Sequence, residues 1–522
     1  MKTFLLVGLI LITVSCAASQ QQVTVQVAAP ISNSSIASPI QIKASADSSH
    51  PIVAWKIYLD NSNVFSAGSA KAISTSLSAK AGAHRIVVRA WDSTGAYGDQ
   101  TLQATVAASA SLAPPDSTQP STSGGATTTL AAETSNNTSA SSSFPGWSNG
   151  NMKAGNVSKV NIHNLLYSGS TTKVYAHLMI WWGYQGHKNI GYTSWSQAEV
   201  TAQVNDMISR GINGAIIDYY GPARTTEEQG VKMFFREAEK HPGFEVAIDL
   251  DKGAIDKSNV TGSTVSQLNH IRTTFETSPA YMRKQGRPVV HFFGVESLGV
   301  NWSTVQSQVS GNQIYVFENS NGFSLPGSSG AFSWVATGNP NDWGQSYLDH
   351  FYLTALSQPN KHAFGSAKKG FNDTVAAWTK NRIVNQNCGR TWLNTFKEID
   401  TFYSSSNQLE SLQLVTWNDY EEGSEIETGI DNCLDVAQPT VSGSTLNWGV
   451  HMTSSQATLD TIDHFAVYAS QDAKNLTVVA DDIPNKETSL DLSKYNLPSG
   501  SKFYVKAVGV SSIANHMSPE SR

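Results

Sequence analysis

The feature that most constrains this chain lies between residues 150 and 436, where short strand-like apolar runs alternate with helix-length segments. Eight runs read as strands: KVYAHLMIWW (173–182), GAIIDYY (214–220), FEVAIDLD (244–251), RPVVHFFG (287–294), QIYVFEN (313–319), AFSWVAT (331–337), KHAFGSA (361–367) and LQLVTWND (412–419). Near-continuous apolar runs are what strands look like when both faces are covered, as in a parallel sheet wrapped by helices. Between them lie helical candidates such as SQAEVTAQVNDMISRG and EEQGVKMFFREAEKH. Eight strands and seven connecting segments predict an α/β fold, a (β/α)8 TIM barrel.

The flanks change period. Residues 22–106 alternate apolar and polar side chains in short runs such as VTVQV and VAWKIYLD, which predicts a small antiparallel sandwich. Gly82-Ala83-His84 and the turn Asp92-Ser93-Thr94-Gly95 resemble bacterial Ig-like modules. Residues 437–522 alternate again in STLNWGV, HFAVYAS and KFYVKAVGV, and resemble a fibronectin-type-III sandwich. Both sandwiches read as accessory. Residues 107–149 collapse to Ser, Thr, Ala, Pro and Gly, too little apolar surface to offset ordering entropy, and read as a linker.

Residues 1–19 have one Lys, an apolar run from Phe4 to Val14 and then small residues, the layout of a secretory signal. Export with cleavage is the expectation, with lipid anchoring through Cys16 as the alternative. No later stretch approaches the ~20 apolar residues of a spanning helix. If Cys16 leaves with the leader, Cys388 and Cys433 remain; an even pair in an exported chain favours a disulfide, and two buried free thiols are the other possibility. No His or Cys cluster has metal-ligand spacing, so no metal is expected.

The formal charge of −6 implies no basic surface able to dominate nucleic-acid binding. In a barrel of this kind the chemistry sits at the C-terminal strand ends. Those ends offer Trp181 and Trp182, Asp218, Asp249 and Asp251, Glu296, Glu318, Trp334, and then Trp417, Asn418, Asp419, Glu421 and Glu422. Carboxylates and aromatic rings, with no phosphate-cradling loop, suit glycoside hydrolysis: one acid protonates the leaving oxygen, another group activates water or attacks, and rings support sugar faces. Each acid has a plainer reading as a cap or a loop brace. His177 and His291, inside strands, read as hydrogen-bonded lining groups, and Glu425 and Glu427 as solvated loop.

The central segment is similar to glycoside hydrolase family 71, the α-1,3-glucanases or mutanases, and more distantly to the family 99-like endo-α-mannosidases. VYAHLMIWW with RGINGAIIDYYGP resembles the family's opening strand, helix and second strand. FEVAIDLD, RPVVHFFGVES, GAFSWVATGNPNDW and LVTWNDYEEGSEI resemble its later strand ends in the same order. Glu421 stands where the family has Gly, and Gly423-Ser424 replaces its Ser-His. The resemblance implies endo-hydrolysis of a polysaccharide, an α-glucan first, by two acids, with inversion and without a cofactor; with the leader, a secreted monomer is the expectation. It assigns Glu296 as general acid or base and Asp249 or Asp251 as its partner. Asp218, Glu318, Glu422, Asn418 and Asp419 would contact water or substrate hydroxyls, and Trp181, Trp182, Trp334 and Trp417 would form sugar platforms. The alternative is a non-catalytic polysaccharide-binding or cell-surface protein with a degenerate barrel.

Overall fold

The computed structural model describes residues 23–106 and 156–522, apart from 33, 37, 60–61, 78, 80–81, 94–96, 340–341 and 377–379. The leader with Cys16, the linker reading and Thr94-Gly95 therefore fall outside the described residues. The chain divides into two compact units, Met1–Pro114 and Pro115–Arg522.

In the first unit a three-stranded sheet (Thr24–Ala29, Ile40–Asp47, Ala72–Leu77) and a five-stranded sheet share one core. Strict alternation in Ile40–Asp47 sends Ile40, Ile42, Ala44 and Ala46 inward, where they join Trp55 and Ile57 of the other sheet. The pairing is not wholly antiparallel, because Ser34–Ile36 runs parallel to Tyr97–Val106.

The second unit contains the barrel. Its strands are β1 (Lys173–Met179), β2 (Gly214–Tyr219), β3 (Glu245–Asp251), β4 (Arg287–Phe293), β5 (Ile314–Glu318), β6 (Gly330–Phe332), β7 (His362–Ala367) and β8 (Ser411–Leu414). Each pairs in parallel with the next, and β8 pairs with β1, so the barrel closes. Its helices are α1 (Gln197–Ser209), α2 (Thr225–Ala238), α3 (Val260–Thr274), α4 (Trp302–Gln308), α5 (Gln345–Leu356) and α6 (Arg390–Phe402). The β5–β6 crossing is made by a 3-10 turn, Ser320–Ser324, in place of an α-helix. Several strands are shorter than their apolar runs: Trp181, Trp182, Trp334 and Trp417 lie past the last paired residue, on the loops that follow the strands.

After β8 the chain enters a second β-rich body with its own core of Trp448, Phe465, Val467, Phe503 and Val505. This body is knitted to the barrel. Ser158 N–H donates to the Ile513 carbonyl at 2.9 Å, Ile430 N–H to Ser512 at 2.9 Å and Trp392 Nε1 to Ser511 at 3.1 Å. A Cys388–Cys433 disulfide joins the segment before α6 to the start of this body, with Cα atoms 5.3 Å apart.

Candidate active site

Barrel strands alternate between the helix layer and the interior, so residues two apart share a face. On β3, Ala247 lies in the interior core, and the same parity carries Asp249 and Asp251 inward above it. On β2, Ile216 faces in and Asp218 follows; on β1, Tyr175 and Met179 face in with His177 between them. Asp218 is in register with Asp249, and Asp251 with Phe293. The upper interior layers of the barrel thus carry carboxyls where the lower ones carry apolar side chains.

These carboxyls are held above their ordinary range, in each case first by burial. Asp249 is fully buried, neither of its oxygens has a hydrogen-bond partner, and Asp251, Glu318 and Glu296 raise it further. Burial lifts Asp251 to about 6, moderated by the Gly253 amide, Lys252, Arg224 and Tyr220. Glu296, on the 3-10 turn Val295–Leu298, is lifted to about 7 by burial and Glu318, against the pull of its own backbone amide and Lys252. Glu318 is raised by burial, Glu422 to about 7 by burial with Asp373 and Glu421, and Asp218 by burial with Asp251, Asp249 and Asp419.

A cavity of about 450 Å³ opens at this end of the barrel, lined by Trp181, Trp334, Asp218, Asp251, Asp419 and Glu422 among the predicted residues. Asp249 is not among the lining residues and has no exposure. Trp181 stacks on His187 with centroids 5.0 Å apart, and Trp334 meets His177 edge-on at 4.6 Å.

Glu296 is not among the residues that line this cavity, and four predicted contacts are likewise placed otherwise, the first being Glu318, whose carboxylate accepts from Asn319 Nδ2 at 3.0 Å. Trp182 is fully buried against Tyr420 and His187, behind the cavity wall. Trp417 is fully buried beneath the guanidinium of Arg210 at 4.8 Å. Asn418 is consumed by the backbone: its Oδ1 accepts from Met179 N–H at 2.8 Å, and its Nδ2 donates to the Met179 carbonyl at 3.1 Å. It clamps the β8 loop to the end of β1.

The stretch LVTWNDYEEGSEIE folds back on itself, which corrects the solvated reading of its rear half. Glu427 is buried and accepts hydrogen bonds from Tyr420 at 2.7 Å, Tyr192 at 2.9 Å and Gln203 at 3.3 Å. Glu425 pairs with Lys369 at 2.7 Å. Glu421 accepts from His187 Nδ1 and the Lys188 amide, each at 2.9 Å, while Asp419 accepts from the amides of Glu421 and Glu422. Only Asp419 and Glu422 of this stretch line the cavity. His291 also departs from expectation: both ring nitrogens lack partners, and the ring stacks on Phe332 at 5.3 Å. Burial drives His177 down to about 3, leaving a neutral ring whose Nδ1 meets Gln413 at 3.3 Å.

The sequence reading missed His187, Tyr220, Arg224, Lys252 and Phe293, which also line the cavity. Tyr220, Lys252 and Phe293 sit within a residue of strand ends already singled out, so position could have found them. His187 lies far along the loop between β1 and α1 and Arg224 is the residue before α2, and neither carries such a signal. Arg224 pairs with the buried Glu227 at 2.8 Å and covers the Tyr220 ring at 4.3 Å. Among the described residues, the group able to hold a metal is His464, Asp481 and Asp482, in the C-terminal body.

A closed parallel barrel whose C-terminal mouth gathers raised carboxyls beside indole rings has the makings of a glycosidase. The model of glycosyl hydrolase family 71 matches residues 170–452, and the chain belongs to that family. Similar solved structures include two of the GH99 endo-alpha-mannosidase from Bacteroides thetaiotaomicron. One shows 16% identity over 49% of this chain and 87% of that one, with a TM-score of 0.40; the other shows 15% identity over 49% and 88%, with a TM-score of 0.38. A glycoside hydrolase-like protein shows 15% identity over 50% and 88%, with a TM-score of 0.39. No curated protein matches.

Proposed function

We propose that the chain is an exported hydrolase that cleaves an α-glucan, α-1,3-linked in the first instance, within the polymer and with inversion. The observation that carries this reading is the cavity at the C-terminal mouth of the barrel, where Asp218, Asp251, Asp419 and Glu422 stand beside the indoles of Trp181 and Trp334, with Asp251 and the nearby Glu296 both held above the ordinary carboxyl range by burial. Glu296, raised to about 7, keeps a proton to give near neutral pH, which the acid of such a cleavage needs. Glu296 gives its proton to the glycosidic oxygen as the C–O bond breaks. Asp251 takes a proton from the water that attacks the anomeric carbon from the opposite face, and the product is a hemiacetal of inverted configuration. Asp251 is preferred to Asp249 because it lines the cavity and Asp249 has no exposure; Glu296, which does not line it, is assigned as the acid on its position after β4 and on the family resemblance. The α-glucan preference and the inversion rest on the family resemblance. Export is supported by the leader-like start and by the disulfide, a bond of oxidising compartments.

The test is release of reducing ends from α-1,3-glucan, with proton NMR reading the anomer formed first. Glu296→Gln and Asp251→Asn should each lower kcat by about 10²-fold or more. A second reading, a binding protein on a degenerate barrel, is favoured by one observation: the residue that β4 sends into the cavity is the apolar Phe293. Retention on insoluble glucan without product, unchanged by either substitution, would establish it and end the hydrolase reading.

A further inference from the structure

Lys252 is a cavity residue to which no step has yet been given. It follows Asp251 at the end of β3, and its side chain crosses to the neighbouring strand end and lies on Gly294. A Cβ built on Gly294 would stand 2.8 Å from Lys252 Cδ and 3.3 Å from Nζ. Gly294 has φ 69°, so a glycine there meets two demands: the left-handed backbone after β4 and the seat for the lysine chain. Among the described residues, no carboxylate lies within 4.0 Å of the ammonium and no side-chain acceptor is bonded to it. By contrast Arg224 and His187, the other basic groups of the cavity with carboxylate partners, are bonded to Glu227 and Glu421. An ammonium has three donors and no acceptor, so one that borders a cavity without a partner is available to a ligand oxygen.

We propose that Lys252 is a substrate-binding and positioning residue of this site: seated on Gly294, it donates to a sugar hydroxyl held between Asp251 and Glu296. Its charge lowers the carboxyls of Asp251, Glu296 and Glu318, none of them within 4.0 Å of the ammonium. The inference rests on the hydrolase reading for the identity of the ligand, but its electrostatic part does not. The field at Glu296 has identifiable members. Lys252 pulls its carboxyl down and Glu318 pushes it up, and Glu296 in turn raises Asp249. Across the same cavity stand Asp218, Tyr220 and Arg224 on the β2 side, and Asp419 and Glu422 beyond β8. Lys252 is the cation nearest the acid pair in chain position and the one whose charge acts on all three carboxyls.

The experiment uses the full chain and two measurements. In the first, the side-chain carboxyls of ¹³C-glutamate-labelled protein are titrated by NMR, with Glu296 assigned by its loss in Glu296→Gln. Lys252→Met should raise the Glu296 midpoint by about half a pH unit or more, and Lys252→Arg should restore it. In the second, kinetics on α-1,3-glucan oligosaccharides should show KM raised about tenfold by Lys252→Met, less by Lys252→Arg. Gly294→Ala, which unseats the lysine without removing its charge, should move KM in the same direction. An unshifted Glu296 midpoint in Lys252→Met overturns the proposal, as does an unchanged KM in an active enzyme. If the parent protein cleaves no glucan, the hydrolase reading fails by itself and the titration still decides the role of Lys252.

Discussion

The guanidinium of Arg210 lies 4.8 Å above the ring of Trp417, fully buried, with Nη1 and Nη2 donating to the carbonyls of Ile426 and Glu427 at 2.7 Å each. Asp206 neutralises it at 2.7 Å, and Ser512 of the C-terminal body completes its contacts at 3.4 Å. One side chain at the end of α1 therefore holds the return limb of the loop that bears Asp419 and Glu422. Arg210→Met strips donors from two buried carbonyls and should cost about 3 kcal/mol or more. The midpoint of chemical unfolding reads it, and kcat should fall with it because the loop loses its anchor.

The disulfide closes a segment of 45 residues that contains α6, β8 and the site loop. Restricting that segment in the unfolded chain should contribute about 3 kcal/mol. Cys388→Ser should lower the melting temperature by several degrees, and a reductant should lower that of the parent to match.

Glu427 gives a pH prediction. Burial raises its carboxyl from 4.5 to about 7 despite the hydrogen bonds from Tyr420 and Tyr192. A carboxyl raised on folding binds its proton more tightly in the folded state, so its stabilising effect is present at acid pH and is lost as pH rises from 4.5 to about 7. Glu427→Gln keeps an acceptor for the tyrosines and removes the charge. It should leave stability at pH 4 nearly unchanged and raise it at pH 8 by roughly 2–3 kcal/mol, flattening the profile between.

Activity should trace a narrow bell. With Asp251 at about 6 and Glu296 at about 7, kcat/KM falls on the acid side as Asp251 takes up a proton and on the alkaline side as Glu296 loses one. Initial rates between pH 4 and pH 9 check both limbs, and Glu296→Gln should abolish the alkaline one in whatever rate survives.

The adjacent indoles differ in their part in binding. Trp181 is buried but lines the cavity, so Trp181→Ala should raise KM as well as destabilise by about 3 kcal/mol. Trp182 is enclosed, and Trp182→Ala should destabilise by about 3–5 kcal/mol.

The eight barrel strands were legible because burial on both faces writes itself into each run, as in GAIIDYY and FEVAIDLD. The positions of Asp218, Asp249 and Asp251 followed, since a strand of period two fixes which residues share a face. Strand ends were less legible: LVTW reads as one apolar run, yet pairing stops at Leu414 and the indole of Trp417 turns under Arg210. Glu427 was misread for the same reason, because its partners Tyr192 and Gln203 are more than 220 positions away in the chain.

The sequence by itself determined the order of strands and helices, the parity that sends acids inward, and the residues from which a site could be drawn. Only the tertiary structure decided which acids border the cavity and which do not, which indoles line it and which are enclosed, and that the body after β8 braces the site loop. The division has a physical cause. Periodicity and burial preference act between neighbours in the chain. Desolvation of Asp249, the field around Glu296 and the clamp made by Arg210 arise between residues that only folding brings together.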